Sequence, residues 1–257
     1  MHRVAQTIPT LPDDATPVEL GRVVHRIVRE MTGIDDPYHE AKRSDNERVM
    51  TLLPRLREIV VRSSDRLLTA LRLAAAGNAI DLGVAQTIDI ESAIEHALED
   101  GGRMDGYAAF ADRLARVEEV LYLGDNAGEI VFDRLVVEQL VSAGKRVTFV
   151  VRGRPILNDA TLDDAEFIGL TELAEIVTSG SDGPGTARAL CDPAFLDRFD
   201  RAGAILSKGQ GNYEGLSEED APLFFLLKVK CPVVAAELEE EVGTILLRSQ
   251  KERGRDR

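Results

Sequence analysis

VEEVLYLGDNAGEIVFDRLVVEQLVSAGKRVTFVV, residues 117–151, decides the architecture of the chain. A short strand-like run, Glu119–Leu123, enters the turn Gly124-Asp125-Asn126-Ala127-Gly128. A helical stretch, Glu129–Ala143, and a second strand, Arg146–Val151, follow. Strand, turn, helix, strand at this spacing is a βαβ unit, and such units build a mainly parallel sheet with helices on its faces. The pattern continues with a helical Asp163–Ala174 and strand-like stretches at Ile176-Val177, Ala204–Leu206, Phe224–Lys230 and Val242–Arg248. The expected fold is therefore α/β: a three-layer α/β/α arrangement over residues 116–257, preceded by an all-α N-terminal domain over residues 1–115. In sheets of this kind the ligand crevice lies at the carboxyl ends of the strands.

Upstream the periodicity is helical. Thr16-Pro17-Val18-Glu19 reads as a capping box with Pro at the first helical position, followed by the stripe Leu20, Val23, Val24, Ile27, Val28 and Met31 up to Gly33. A second stripe from Val49 to Val60 is divided or kinked at Pro54. Asp65 caps a third helix ending near Gly77-Asn78, and Asp89 caps a fourth.

Composition limits the chemistry. With 31 basic and 45 acidic residues the net charge of the 257-residue chain is −14, which argues against a nucleic-acid partner. An anionic small molecule needs a local cation or metal ion here, because the average field repels it. The two cysteines, Cys191 and Cys231, form neither a disulfide framework nor a CxxC knuckle. No segment nears the about 18 apolar residues of a membrane span, and Met1–Asp14 lacks the apolar stretch of a signal peptide, so the expected setting is cytoplasmic. All four histidines, His2, His25, His39 and His96, lie in the helical half.

Four successive strand ends are small, polar and rich in oxygen. Asp125 and Asn126 follow the first, and Asn158 and Asp159 the second. Ser179–Thr186 follows the third, and Ser207-Lys208-Gly209-Gln210-Gly211-Asn212 the fourth. Asp125 and Asp159 can each be a helix cap. Paired at neighbouring strand ends, each beside an Asn and far from any His, they also read as oxygen ligands for Mg²⁺ or Mn²⁺ rather than zinc. Lysine is scarce, six against 25 Arg. Lys208 beside Gly-Gln-Gly suits a phosphate, or is an exposed lysine in a turn. The string is neither a Walker loop nor a dinucleotide fingerprint. Nucleophile-elbow and HExxH patterns are absent, leaving a hard metal, carboxylates and a lysine, the groups that metal-assisted phosphoryl chemistry uses.

LGDNAGE with the following Asp133, then NDAT, GSDGPGT and SKGQGNYE, in that order and spacing, resemble the metal-dependent damage-control phosphatases. That family includes a domain once described as an acidic-residue methyltransferase. DPYHEAKRSDNERVMTLLPRLREIV and LLTALRLAAAGNAIDLGV resemble its N-terminal region, so the match spans about residues 35–250. The resemblance implies a divalent cation (Mn²⁺ or Mg²⁺, with Co²⁺ or Ni²⁺ as alternatives) on Asp125, Asn126 and Asp159. It places Asn78 and Asn158 beside the substrate, and Ser207, Lys208 and Gly209 on the phosphoryl group, with Asp125 and Lys208 catalytic. For Asn78 the plain alternative is a helix C-terminal residue. Prokaryotic members with this motif set commonly begin with a Cys pair and an extra helical segment; this sequence has neither.

The expected activity is metal-dependent hydrolysis of phosphate esters of small metabolites, sugar phosphates or damaged phosphometabolites, by a metal-activated water. Attack by Asp125 itself is the weaker option, because a carboxylate already used as a ligand is a poor nucleophile. A non-catalytic phosphometabolite- or nucleotide-binding module is the alternative, and methyl transfer, without a nucleoside-cofactor loop, ranks last. Substrate identity, the physiological metal and oligomeric state are not written in these motifs.

Overall fold

The computed structural model describes residues 2–10, 17–79, 90–99 and 102–250. Helices come first: α1 (His2–Thr7), α2 (Pro17–Thr32), α3 (His39–Met50), α4 (Leu53–Arg62), α5 (Arg66–Ala79), α6 (Ile90–Glu99) and α7 (Tyr107–Arg116). Gly33, at φ +70°, ends α2. The break between α3 and α4 falls where Pro54 enters the first turn of the new helix, because proline lacks the N–H a continuous helix needs. Asp65 caps α5 by accepting from the Leu68 N–H at 3.0 Å. Thr16 and Asp89, expected as caps, lie outside the described residues.

The second half alternates as β1 (Glu119–Leu123), α8 (Glu129–Ser142), β2 (Arg146–Val151), α9 (Leu162–Phe167), β3 (Glu175–Thr178), α10 (Pro193–Arg201), β4 (Ile205–Lys208), α11 (Gln210–Leu216), β5 (Leu223–Lys228), α12 (Pro232–Leu238) and β6 (Ile245–Ser249). The expected helix at Asp163–Ala174 is shorter. Gly169, at φ +69°, breaks it into α9 and a 3-10 turn, Leu170–Glu172. The strands form one sheet in the order β3-β2-β1-β4-β5-β6, parallel except for the antiparallel edge strand β6. The chain reverses its direction of travel across the sheet between β1 and β4, and crevices in open parallel sheets form at such a switch point.

Two apolar clusters flank the sheet. On one face Phe195, Phe199, Tyr213, Leu216, Val234 and Leu238 of α10, α11 and α12 cover Ile205, Phe225 and Leu227. On the other, α8 carries buried Ile130, Val131, Phe132, Leu135, Val136, Val137 and Leu140. A helix apolar nearly all round must be covered on both sides. The sheet covers α8 from one side and α3, α4 and α5 from the other, so the helical region and the sheet share a single core. Gly77 lets α5 approach α8 closely, since a Cβ there would lie 2.8 Å from the Phe132 ring. That contact matters for function because α8 begins at the Gly-rich turn after β1.

Candidate active site

The turns after β1 and β2 are joined through their backbones. The Ala127 N–H donates to the Asn158 carbonyl at 2.8 Å and the Ala160 N–H to the Asp125 carbonyl at 2.8 Å, an isolated antiparallel bridge that sets Asn126 opposite Asp159. The sequence can do this because both turns avoid regular helix at those residues, leaving free the main-chain groups that pair. The three expected ligands, Asp125, Asn126 and Asp159, are thereby brought together at adjacent strand ends. Asn158 contributes its main-chain carbonyl to the joint, and Leu157 before it takes a left-handed φ of +47°.

Arg152, the first residue after β2, is buried and binds across this joint. Its Nε donates to Asp159 Oδ2 at 2.6 Å, Nη1 to Thr186 Oγ1 at 3.1 Å and Nη2 to Asn212 Oδ1 at 3.0 Å, with Asp125 Oδ1 3.8 Å from Nη2. Asn212 in turn donates to the Gly124 carbonyl at 3.1 Å and the Lys208 carbonyl at 2.7 Å. Arg152 and Asn212 thus link all four strand-end loops. Local sequence marks neither role: Arg152 reads as one of two arginines after an apolar strand, and Asn212 as the end of a Gly-rich turn.

Lys208 does not reach the mouth of this cleft. It is fully buried, and its Nζ donates to Glu129 Oε1 at 2.5 Å, Asp133 Oδ1 at 2.7 Å and the Ala74 carbonyl at 3.1 Å. An ammonium has three donors, and these three partners occupy them. Burial alone would lower Lys208, but Asp133 and Glu129 outweigh it and hold the ammonium well above the usual lysine value. Burial raises the Asp133 carboxyl to about 6, with Lys208 pulling it down and Glu129 pushing it up. Tyr122 Oη also donates to Asp133, at 2.8 Å.

Ser207 and Gly209 likewise depart from the expected phosphate site. Successive strand residues face opposite sides of a sheet, so Ser207 points with Ile205 away from the Lys208 side. Its buried Oγ has no hydrogen-bond partner among the described residues. The Gly209 N–H is already bonded to the Leu226 carbonyl at 3.1 Å. Gly209 is required for another reason: it sits at φ +79°, and a Cβ there would lie 1.9 Å from Asp125 Oδ2. Asn78 is in the last turn of α5, and its side chain lies outside what is described.

Four buried carboxylates, Asp125, Glu129, Asp133 and Asp159, face two buried cations, Arg152 and Lys208. Within this buried group the carboxylates outnumber the cations four to two, and Lys230 also acts on Asp125 from outside it. Burial, then Glu129 and Asp159, push the Asp125 carboxyl up to about 8, and burial raises Asp159 against the pull of Arg152. Among the described residues no three His, Cys, Asp or Glu side chains are grouped to hold a metal ion. Beside Asp125 and Asp159, the amide oxygen of Asn126 is the neighbouring side-chain atom able to complete an oxygen donor set. All donors are then hard oxygens, which fits Mg²⁺ or Mn²⁺.

The helical half supplies a wall. Arg22 and Arg29 of α2 both pair with Asp182 in the loop after β3, and Arg29 also donates to the Pro155 carbonyl at 2.7 Å. Between them His25 packs its ring 6.2 Å from that of Tyr38. Burial and Arg29 lower its pKa, opposed by the nearby charge of Asp159. No described helix is long and apolar enough to cross a membrane.

A doubly wound sheet with a helical cover and an oxygen-lined cluster at its switch point defines the class. Within it, a model of the damage-control phosphatase ARMT1-like domain matches residues 1–246, and the chain belongs to that family. It is 37% identical over 244 residues to uncharacterized protein MJ0202 of Methanocaldococcus jannaschii, covering 91% of this chain and 80% of that one. It is 32% identical over 242 residues to damage-control phosphatase PH1575 of Pyrococcus horikoshii, covering 93% and 83%. A damage-control phosphatase of Archaeoglobus fulgidus is 34% identical over 231 residues, covering 87% and 79%. The crystal structure of PH1575, a DUF89 family protein, superposes with a TM-score of 0.86 over 97% of this chain and 88% of that one, at 31% identity.

Proposed function

We propose that the protein is a metal-dependent phosphomonoester hydrolase acting on small phosphorylated metabolites, sugar phosphates or damaged side products. Family membership supports a phosphatase. The observation that carries the finer reading is the backbone joint that sets Asn126, beside Asp125, against Asp159 among buried carboxylates. A divalent cation held by these three side chains supplies Lewis-acid polarisation of the phosphoryl oxygens and lowers the pKa of water.

The chain's own residues do the rest. Arg152 orients Asp159 and, through Thr186 and Asn212, holds the four loops in register. Asn126 Nδ2 donates to Asp125 Oδ2 at 3.3 Å and to Glu129 Oε2 at 3.5 Å, which fixes the amide and leaves its oxygen as the remaining donor atom for a cation. Lys208 neutralises Glu129 and Asp133 beneath the loop, a supporting role in place of direct phosphate contact. The α2 wall, with His25 near Asp159 and the arginines tied to Asp182, stands where it can meet the ester's organic portion.

The test is phosphate release from sugar phosphates, phosphopantetheine-like esters and nucleotides with Mn²⁺, Mg²⁺, Co²⁺ or Ni²⁺, and after chelation. Release that requires added cation is expected. Equal release in chelator overturns the metal reading, and metal-dependent ligand binding without release over hours makes the protein a binding module instead. Within the same assay Gly209→Ala is expected to lower turnover about a hundredfold or more, because a catalytic group displaced by about 1 Å costs that much. The new methyl must displace Asp125, and the left-handed backbone adds strain. Near wild-type turnover for that variant removes Asp125 from the site.

A further inference from the structure

The stretch Asp36–Asn46, DPYHEAKRSDN, holds three polar side chains whose burial the reaction itself does not explain. Asn46 is fully buried on α3. Its Oδ1 accepts from the Gly128 N–H at 2.6 Å and its Nδ2 donates to Asp164 Oδ1 at 2.9 Å. Lys42, one turn earlier and 1% exposed, places Nζ 3.1 Å from Asp164 Oδ2 and 2.8 Å from Asp36 Oδ2. Asp164 closes the cap of α9 by accepting from the Thr161 N–H at 2.9 Å and Oγ1 at 2.7 Å.

Each grip falls two residues from an expected ligand. Gly128 is two residues beyond Asn126, and Thr161 two beyond Asp159. Gly128 sits at φ +75° as the N-terminal cap residue of α8, and the Asn46 amide, 82 residues away, holds this residue by accepting its N–H. We propose that Asn46 and Lys42 are positioning residues: one turn of α3 clasps both ligand-bearing loops and sets the separation of Asn126 and Asp159. Groups that hydrogen-bond a metal ligand govern affinity by fixing its orientation, and the clasp acts one step further out, on the backbone that carries Asn126 and Asp159. Packing alone asks for apolar side chains here, since a buried charge costs free energy unless it is paired. The inference rests on the metal-dependent reading above and deepens it.

An exchange of partners tests it. Asn46→Asp sets two carboxylates face to face, and Asp164→Asn removes the acceptor of the Asn46 amide. The double variant restores one hydrogen bond with its direction reversed, while the amide oxygen introduced at position 164 still receives Thr161 and Lys42. Mn²⁺ affinity by calorimetry, kcat and KM, and melting in chelator are read for all four proteins. Each single variant is expected to lose roughly ten- to a hundredfold in Mn²⁺ affinity, with kcat falling more than KM rises, and the double variant to regain most of it. Single variants that melt lower yet keep wild-type Mn²⁺ affinity and kcat overturn the proposal. Should Asn46→Asp not fold, amide exchange in the wild-type chain decides: coupling is reciprocal, so Mn²⁺ must slow exchange at Gly128, and unchanged exchange overturns the clasp. A wild-type chain that takes up no Mn²⁺ is a different result, which sinks the metal reading itself.

Discussion

Asp125→Ala is expected to cut cation-dependent phosphate release by about a thousandfold or more, while the chelated protein melts no lower than wild type. On the metal-dependent reading proposed above, the loss follows from removing one of three donors around a cation worth several kcal/mol to the transition state, each 1.36 kcal/mol being tenfold in rate. The unchanged or raised melting temperature follows from what surrounds the side chain. Asp125 is buried near Glu129 and Asp159, and Arg152 is already engaged at 2.6 Å by Asp159. Removing a carboxylate from a carboxylate-rich group relieves repulsion in the folded state, a trade between activity and stability common at catalytic sites. Phosphate release and thermal unfolding, each with and without Mn²⁺, check it. Full turnover in the variant defeats the assignment, and a large drop in melting temperature shows that Asp125 is structural.

Lys208→Met separates the two readings of the lysine. A phosphate-binding lysine at the mouth of the cleft, when replaced, spoils turnover and leaves stability nearly intact. A lysine enclosed with Glu129 and Asp133 leaves two buried carboxylates without their cation, a loss of about 3–5 kcal/mol. The geometry predicts the second outcome, with turnover falling because the Glu129–Asn126 contact loosens. The pH dependence has a definite sign. A carboxyl whose folded pKa lies above its unfolded value binds more protons when folded, so stability drops as pH rises between the two values. Asp133 is already raised to about 6 with Lys208 present, and removing the ammonium raises it further. The deficit of the variant against wild type is therefore smallest near pH 4 and widens toward pH 8. Chemical denaturation at pH 5 and pH 8 measures it; a pH-independent deficit excludes this cause.

Much of the site was legible because its chemistry is local. Asp125-Asn126 and Asn158-Asp159 are adjacent pairs that follow apolar strands, and a parallel sheet places neighbouring strand ends side by side. Glu129 and Asp133, four apart on α8, share a helix face, but nothing in their spacing shows that both are buried on a cation. What could not be read was which cation. Lys208 is 75 residues from Asp133 and Arg152 is 60 from Asn212, and no periodicity links residues so far apart. The expectation that Ser207, Lys208 and Gly209 hold a phosphoryl group, or that Lys208 is an exposed turn lysine, takes no account of the sheet faces. Strand alternation sends two of those side chains to opposite faces, and the layer of α5 and α8 closes over the lysine.

The sequence by itself determined the parallel sheet, the helical region ahead of it and the adjacent oxygen donors at the strand ends. These follow from periodicity and turn chemistry within a few residues. Only the tertiary structure decided the partners of the buried polar groups: Arg152 with Asp159, Lys208 with Glu129 and Asp133, and Asn46 across both loops. Pairing a buried charge depends on which side chains the fold brings within about 3 Å and removes from water, and that is set by the packing of α3, α5 and α8 on the sheet.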